Sequence, residues 1–76
     1  MLISSVPLRF RLRAVLEELR DAGTPVSQSE LARRAGVSLS IVDAIVHNRQ
    51  RQVSLDTLDA LCNALGVDPG DLLERT

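Results

Sequence analysis

Aromatic side chains are almost absent from this sequence: it has no tryptophan and no tyrosine, and Phe10 is its one phenylalanine. Without aromatic rings there is no platform on which unpaired bases could stack, which argues against a protein that binds single-stranded nucleic acid. The hydrophobic fraction is nonetheless 45% of 76 residues, enough for one packed core. Leucine, valine, isoleucine and alanine must fill that core, which favours short helices packed closely together.

Cysteine and histidine are equally scarce, with Cys62 and His47 as single examples. One cysteine cannot form an intramolecular disulfide and gives no basis for a cysteine-based metal site, so we expect a reducing, cytoplasmic location. The sequence also lacks clustered metal ligands and a glycine-rich phosphate loop, and short helices leave no deep pocket. We therefore expect no enzyme, and hence no catalytic residue, metal, cofactor or small-molecule ligand.

Long apolar runs are missing as well. Nothing in the sequence approaches the length that crosses a bilayer, and its start lacks the basic region and apolar run of a signal peptide. We expect a soluble protein with no membrane partner, in which residues 1–6 form a non-helical leader and residues 7–76 the folded domain. The leader's apolar residues, which would serve a dimer contact, are Leu2, Ile3 and Val6.

The net charge is only −1, but charge is unevenly distributed along the chain. Residues 9–51 hold eight arginines and five acids, a net charge of +3, whereas residues 52–76 hold one arginine and five acids, a net charge of −4. A basic part followed by an acidic part is typical of a protein with one DNA-facing side, although an ordinary solvated surface would give the same count.

Helical periodicity and stop signals divide the chain into five short helices, and no segment shows the alternation of a strand. Pro7 is a suitable first residue for a first helix that ends near Ala22–Gly23. Ser27 opens the second helix with a capping box, in which Glu30 reaches back to the amide of Ser27. Ser38 and Ser54 cap the next two helices, and the last starts at Asp68–Pro69 with Leu72 and Leu73. The fourth helix buries Leu55, Leu58, Leu61, Cys62 and Leu65.

The simplest roles for Phe10 and Cys62 are structural. Cys62 is expected to be a small core residue of the fourth helix. Phe10 falls off the apolar stripe of the first helix, so it either covers the edge of the core or joins the leader in the dimer contact. Arg9, Arg11 and Arg13 alternate around the first helix, so at most two of them share a DNA-facing side.

The stretch from Gln28 to His47 meets the spatial demands of a helix-turn-helix, in which two helices cross steeply through a very short turn. Ala32 supplies the small side chain where the helices approach most closely, and Gly36 tolerates the positive φ of the turn. An amphipathic helical pair that packs without touching DNA is the alternative. The apolar residues that wedge the two helices together are Leu31, Ala35, Val37, Val42 and Ile45.

Residues 27–38, SQSELARRAGVS, resemble the core signature of the phage-repressor/Cro (XRE) family of helix-turn-helix proteins. Residues 53–74 resemble the closing helices of that family, and the opening at residues 9–12 fits its subgroup of very short, single-domain members. The resemblance implies an all-α, lambda-repressor-like fold of five short helices. It also implies a regulator, a probable repressor, that binds double-stranded DNA as a homodimer and uses the helix at about 38–47 as recognition helix.

The resemblance further implies which residues meet DNA. Gln28 would donate to a phosphate at the start of the second helix, although a solvent-facing role also suits it. Ser38 would reach a phosphate while capping the third helix. The groove-facing positions of that helix are Leu39, Ser40, Ile41, Asp43 and Ala44. The residues that grip the DNA backbone from the helix end are His47, Asn48, Arg49 and Arg51.

None of the groove-facing positions holds an arginine, asparagine or glutamine, the usual readers of guanine and adenine. Leu39 and Ile41 could pack on thymine methyl groups, Ser40 could bond to either partner, and a cytosine N4 group could donate to Asp43. Specificity then rests on DNA shape and a few weak contacts. Alternatively, Leu39 and Ile41 belong to a protein interface, as in an antitoxin-like or accessory module on the same scaffold.

Two residues at the end of the third helix also have explanations that need no DNA. Protonated His47 is favoured near a helix C-terminus by the helix dipole. Asn48 can adopt a left-handed backbone conformation and so end the helix.

Overall fold

The computed structural model describes residues 8–50 and 52–75, which form five α-helices and one two-stranded sheet. The elements in chain order are β1 (Leu8–Phe10), α1 (Leu12–Asp21), α2 (Gln28–Ala35), α3 (Leu39–Val46), α4 (Leu55–Leu65), α5 (Pro69–Leu72) and β2 (Leu73–Arg75). The predicted fold class, all-α with five short helices, is confirmed, and the sheet is a minor addition to it.

The sheet joins the two ends of the described chain. β1 and β2 are antiparallel, and Arg9 lies opposite Glu74 with their side chains 2.6 Å apart. The prediction of a helix starting at Pro7 is therefore wrong for residues 8–11: α1 begins at Leu12, and Pro7 itself lies outside the described residues. The prediction of no strand is also wrong, because Leu73 leaves the last helix and enters β2.

The later start of α1 also makes the prediction wrong for two of the three arginines assigned to the first helix. Arg9 lies in β1 and Arg11 is the residue that precedes α1, so only Arg13 lies within the helix. The amide of Arg11 donates to the carbonyl oxygen of Leu72 at 2.7 Å. These bonds join residues about sixty positions apart, and a local helical pattern carries no information about them.

Asn48 connects the end of α3 to β1. Its side-chain Oδ1 accepts from the amide of Phe10 at 3.0 Å, and its Nδ2 donates to the carbonyl oxygen of Phe10 at 3.2 Å. The side-chain amide thus pairs with Phe10 as a neighbouring strand would. Asn48 also has the expected left-handed conformation, with φ of 56°. The segment after α3 is therefore fixed against the sheet.

α2 and α3 form the predicted helix-turn-helix. The hydroxyl oxygen of Ser27 accepts from the amide of Glu30 at 3.0 Å, and that of Ser38 accepts from the amide of Ile41 at 3.2 Å, so both helices start at the predicted caps. Gly36 ends α2 with φ of 71°, a value that glycine adopts without steric cost. Ala32 is only 6% exposed, as expected for the small residue of the motif. α2 and α3 are separate helices that pack on each other, as a helix-turn-helix requires.

The second half of the predicted capping box is wrong. The carboxylate of Glu30 does not return to the amide of Ser27; it accepts hydrogen bonds from Arg33 and from Arg34 Nε, the latter at 2.7 Å. Two guanidinium groups one helical turn away attract the carboxylate more strongly than a single amide does. The hydrogen bonds from Arg33 and Arg34 lower the pKa of Glu30 from 4.5 to about 2.

The core lies between the helices, with α2 packed on α3 and α4, and α1 packed on α3 and α5. Phe10 packs against the edge of this core, and Cys62 is buried in it as predicted. Leu55 is an error of the sequence analysis, since its side chain is 81% exposed. It is the first residue of α4, and helical side chains lean towards the N-terminus, so it extends past the packed stripe. The buried core residues are Leu12, Val15, Leu31, Ala32, Val42, Ile45, Val46, Leu61, Cys62 and Leu72.

Within the described part of the chain, every helix is too short or too polar to cross a membrane. Burial raises the pKa of the Cys62 thiol, and nearby Asp59 raises it further, which keeps the thiol protonated and unreactive.

Ala32→Leu tests the helix crossing. We expect the larger side chain to lower the free energy of unfolding by about 1–3 kcal/mol, because the contact has no room for it. Urea denaturation measures this difference. Ala22→Leu is the matched control: Ala22 is exposed after the end of α1, and its substitution should change stability by less than about 0.5 kcal/mol. Equal stability of the two variants would contradict the crossing.

Glu30→Gln tests the carboxylate between the two arginines. Folding lowers the pKa of Glu30 from 4.5 to about 2, so its charged form stabilises the fold above about pH 4.5, and this contribution disappears as the pH falls towards 2. We expect the variant to melt slightly below the wild type at pH 7, since exposed pairs contribute little. Thermal melts across this pH range should show that the difference in melting temperature between the wild type and Glu30→Gln shrinks as the pH falls. A difference that is constant with pH would rule out the ion pairs as its source.

Asn48 variants separate its two roles. Asn48→Ala loses both bonds to Phe10 and places a residue with a Cβ in the left-handed region, so we expect it to destabilise the fold by about 1–3 kcal/mol. Asn48→Gly loses the same bonds but accepts the backbone conformation, and should destabilise it less than Asn48→Ala does. Urea denaturation compares the two. Wild-type stability in both variants would show that the link between α3 and β1 contributes nothing.

Candidate nucleic-acid interface

α3 has one buried face and one open face. Val42, Ile45 and Val46 are buried in the core, and this burial fixes the helix in rotation about its axis. Leu39 and Ile41 consequently point outwards, with 48% and 37% of their surface exposed. An exposed leucine and isoleucine on a short helix leave apolar surface in water. The N-terminal half of α3 is therefore exposed to solvent and leaves an apolar surface there.

The start of α2 lies next to this exposed half. An open depression is lined by Ser27, Gln28 and Ser29 from α2 and by Leu39, Ser40 and Asp43 from α3. The first amides of a helix have no partner within it, and they favour anions together with the helix dipole. A site for negative charge at α2 is thus placed beside the residues of α3 that could meet bases.

At the other end of α3, three of the predicted residues form one cluster. Arg49 Nη2 lies 2.6 Å from Asp43 Oδ2, and His47 Nδ1 lies 3.3 Å from Asp43 Oδ1. The His47 ring nitrogen is also 2.9 Å from the backbone oxygen of Asp43. We refer to Asp43, His47 and Arg49 as the α3 end cluster. Its members are partly exposed, so all three are available to a ligand.

The remaining predicted residues are placed differently from one another. Ser38 is exposed and caps α3, and Ala44 is half-buried on its side. Asn48 uses its amide on Phe10, so it adjoins the sheet and not the depression. Arg51 lies outside the described residues. The structure therefore gathers most of the predicted interface around α3 and directs the side chain of Asn48 elsewhere.

Two arginines of α1 add a basic surface next to α3. Arg13 and Arg20 are seven positions apart, two turns of helix, and line an open groove together with Gln28 and His47. Glu17 lies between them, and its carboxylate is 3.6 Å from Arg13 Nε. Arg20 was not among the predicted interface residues, although its spacing of seven positions from Arg13 indicates a shared helix face. The groove extends the cationic surface from α3 to α1.

Four further arginines among the described residues form ion pairs with acidic side chains of the same chain. These are Arg9 with Glu74, Arg11 with Glu18 and Glu74, and Arg33 and Arg34 with Glu30. Among the residues that the structure describes, no three histidine, cysteine or acidic side chains are grouped so that they could hold a metal ion.

Comparisons with known proteins agree with this geometry. Residues 15–76 match the family model of the Cro/C1-type HTH DNA-binding domain. The fold is similar to the crystal structure of a protein from Bacteroides fragilis that is described provisionally as DNA-binding. Their TM-score is 0.73 and their sequence identity is 28%, and the match covers 90% of this chain and 100% of the other.

A curated relative is the uncharacterized HTH-type transcriptional regulator YozG of Bacillus subtilis (strain 168). It is 35% identical over 49 residues, which are 64% of this chain and 58% of the relative, so the match spans less than two thirds of the relative's length. The family model covers most of the present chain, including the buried alanine and the left-handed glycine on which its two central helices depend. The chain belongs to the Cro/C1-type (XRE) helix-turn-helix DNA-binding domain family.

Proposed function

We propose that this chain binds double-stranded DNA and represses transcription, with α3 as the recognition helix in the major groove. The observation that carries the proposal is the depression shared by the start of α2 and the exposed half of α3. A phosphate at the α2 N-terminus would fix the height and angle of the protein on the duplex. Leu39 and Ser40, on the opposite side of the same depression, would then reach base edges.

The groove contacts are apolar and few. Leu39 and Ile41 would pack against thymine methyl groups, and Ser40 would exchange one hydrogen bond with a base edge. Each of these contacts discriminates weakly, so the width and flexibility of the DNA would supply part of the specificity. We propose a preference for sites rich in A·T pairs near the recognition helix, since thymine provides the methyl groups.

Cations around α3 would supply most of the affinity. Arg13 and Arg20 line the groove at the start of α2, where the uncharged Gln28 adds a hydrogen-bond donor, and Arg49 follows the end of α3. Arginines placed on two sides of a helix can contact the backbones on both sides of the groove that it enters. Arg51 remains a predicted phosphate ligand. Such contacts do not depend on sequence and hold the recognition helix in register.

A homodimer would place two copies of α3 in successive major grooves, about 34 Å apart along one face of the duplex. We propose the leader, residues 1–6, as part of the dimer contact. A regulator of bacterial or phage genes would act where that DNA lies, in the cytoplasm. Sedimentation of the protein with a duplex tests the stoichiometry, which should be two chains for each site.

A protein-interaction module on the same scaffold is the second candidate. It is favoured by the exposure of Leu39 and Ile41, which would suit an apolar partner as well as thymine methyl groups. The two candidates differ in their response to salt. Binding to DNA releases counterions and weakens with a log–log slope of about −0.9 for each phosphate contacted, whereas an apolar protein contact does not.

Salt titration of duplex binding, combined with Ser40→Asp, tests the proposal. Ser40 is the second residue of α3, where an acid is favourable for the helix, so the variant should fold while placing negative charge against DNA. We expect binding to every duplex to weaken about tenfold or more, or about 1.4 kcal/mol. Fluorescence anisotropy with labelled duplexes of mixed sequence measures this change.

Asn63→Asp is the matched control, because Asn63 is exposed on α4, which packs on α2 and α5. It adds the same charge outside the proposed interface and should weaken binding by less than about threefold, as expected for a screened charge at a distance. Equal effects of the two variants would contradict the role of α3. A wild-type protein that binds no duplex even at low salt would favour the protein-interaction module.

A further inference from the structure

The α3 end cluster contains an acid where DNA binding would call for a cation. Asp43 lines the depression together with Leu39 and Ser40, so it is part of the surface that the proposed function assigns to the groove. Phosphates and most base-edge atoms of the major groove are negative or acceptors, and a carboxylate repels both. The acid therefore needs a partner in the free protein and in any complex.

Arg49 is that partner in the free protein, and the backbone brings it there. Residues six positions apart on a helix do not face each other, so Arg49 could not reach Asp43 if α3 continued. The left-handed Asn48 ends the helix, and the amide of Arg49 then donates to the carbonyl oxygen of Ala44 at 2.7 Å. The turn directs the guanidinium back along the helix, where Nη2 lies 2.6 Å from Asp43 Oδ2.

We propose that Asp43 competes with the DNA backbone for Arg49 and so makes binding depend on the base beside Asp43. This inference rests on the proposed function. When Arg49 moves to a phosphate, the carboxylate loses its guanidinium partner while facing the groove. A cytosine in contact can compensate, because its N4 amino group donates to a carboxylate. Guanine and thymine offer acceptors to the carboxylate at that place, and adenine places its N7 acceptor beside its N6 donor, so the release of Arg49 is opposed most weakly by cytosine.

His47 does not replace Arg49 in this arrangement. Its Nδ1 lies 3.3 Å from Asp43 Oδ1 but 2.9 Å from the backbone oxygen of the same residue, so the helix carbonyl is its nearer neighbour. The guanidinium of Arg49, by contrast, can form two parallel bonds to a phosphate or to a carboxylate. Arg49 can thus pair either with the Asp43 carboxylate or with a DNA phosphate. The presence of Asp43 determines which of these two groups Arg49 contacts.

A double-mutant cycle tests the competition. The proteins are the full chain as wild type, Asp43→Ala, Arg49→Ala and the double variant, all checked for helix content, since alanine is favourable within α3. Asp59→Ala is the matched control: it removes the same charge from an exposed position on α4, outside the proposed interface. The probes are a mixed-sequence duplex and the duplexes that the wild type selects from a random library.

We expect Asp43→Ala to bind the mixed-sequence duplex about fivefold more tightly than Asp59→Ala does, because Arg49 is released without a cost. Arg49→Ala should weaken binding about twofold in the wild type and about fivefold in the Asp43→Ala background, as each phosphate contact adds to affinity. Duplexes selected by the wild type should contain cytosine at one fixed position in each half-site. Asp43→Ala should lose that preference and keep the others.

The competition is overturned if Asp43→Ala binds no more tightly than Asp59→Ala, or if Arg49→Ala has the same effect in both backgrounds. Weaker binding by Asp43→Ala would also overturn it, and would instead make Asp43 a residue that positions Arg49 for DNA. These results are distinct from failure of the proposed function, in which neither the wild type nor Asp59→Ala binds any duplex at low salt.

Discussion

The packing of α2 against α3, with the small side chain of Ala32 buried, is the feature on which the rest of the structure depends. A methyl side chain at this point lets the two helix backbones cross within a turn of only three residues, and Gly36 supplies the left-handed conformation that the turn requires. A larger residue would push the helices apart and would rotate α3. Because α3 is held by this crossing, the direction of its exposed side chains is set by packing and not by the interface itself.

As a result of this packing, the two ends of α3 present different kinds of side chain. The N-terminal half of α3 exposes apolar groups beside the start of α2, while the C-terminal half carries the α3 end cluster. Exposed apolar side chains lie at one end, and an arginine paired with Asp43 lies at the other. Under the proposed function, such a surface would gain affinity from cations and DNA shape, and selectivity from an acid that disfavours some bases. The small number of proposed base contacts would then still allow selective binding.

Features fixed by local chemistry could be predicted from the sequence. The serine caps at Ser27 and Ser38, the glycine turn and the buried positions of the central helices all depend on residues within a few positions of one another. The same holds for Asn48, whose left-handed conformation follows from its residue type. The candidate interface residues could be named from the family resemblance, because the spacing of residues along a helix determines the face on which each one lies.

Features that depend on distant parts of the chain could not be predicted in this way. The pairing of Arg9 with Glu74 and the bonds of Asn48 to Phe10 connect segments that no periodicity relates. The capping role predicted for Glu30 is wrong because Arg33 and Arg34 compete for its carboxylate. The burial predicted for Leu55 is wrong because an apolar stripe does not show where the packing of a helix ends. In each case the outcome depended on which partner was nearer in space.

The most direct test of the account is a map of the surface that contacts DNA. Titration of the isotopically labelled protein with a duplex, followed through its backbone amide resonances, would supply that map. We expect the largest shift changes at residues 27–30 and 38–49, with α4 and α5 almost unaffected. Changes confined to α4 and α5, or an unchanged α3, would contradict the claim that the helix crossing presents α3 to the major groove.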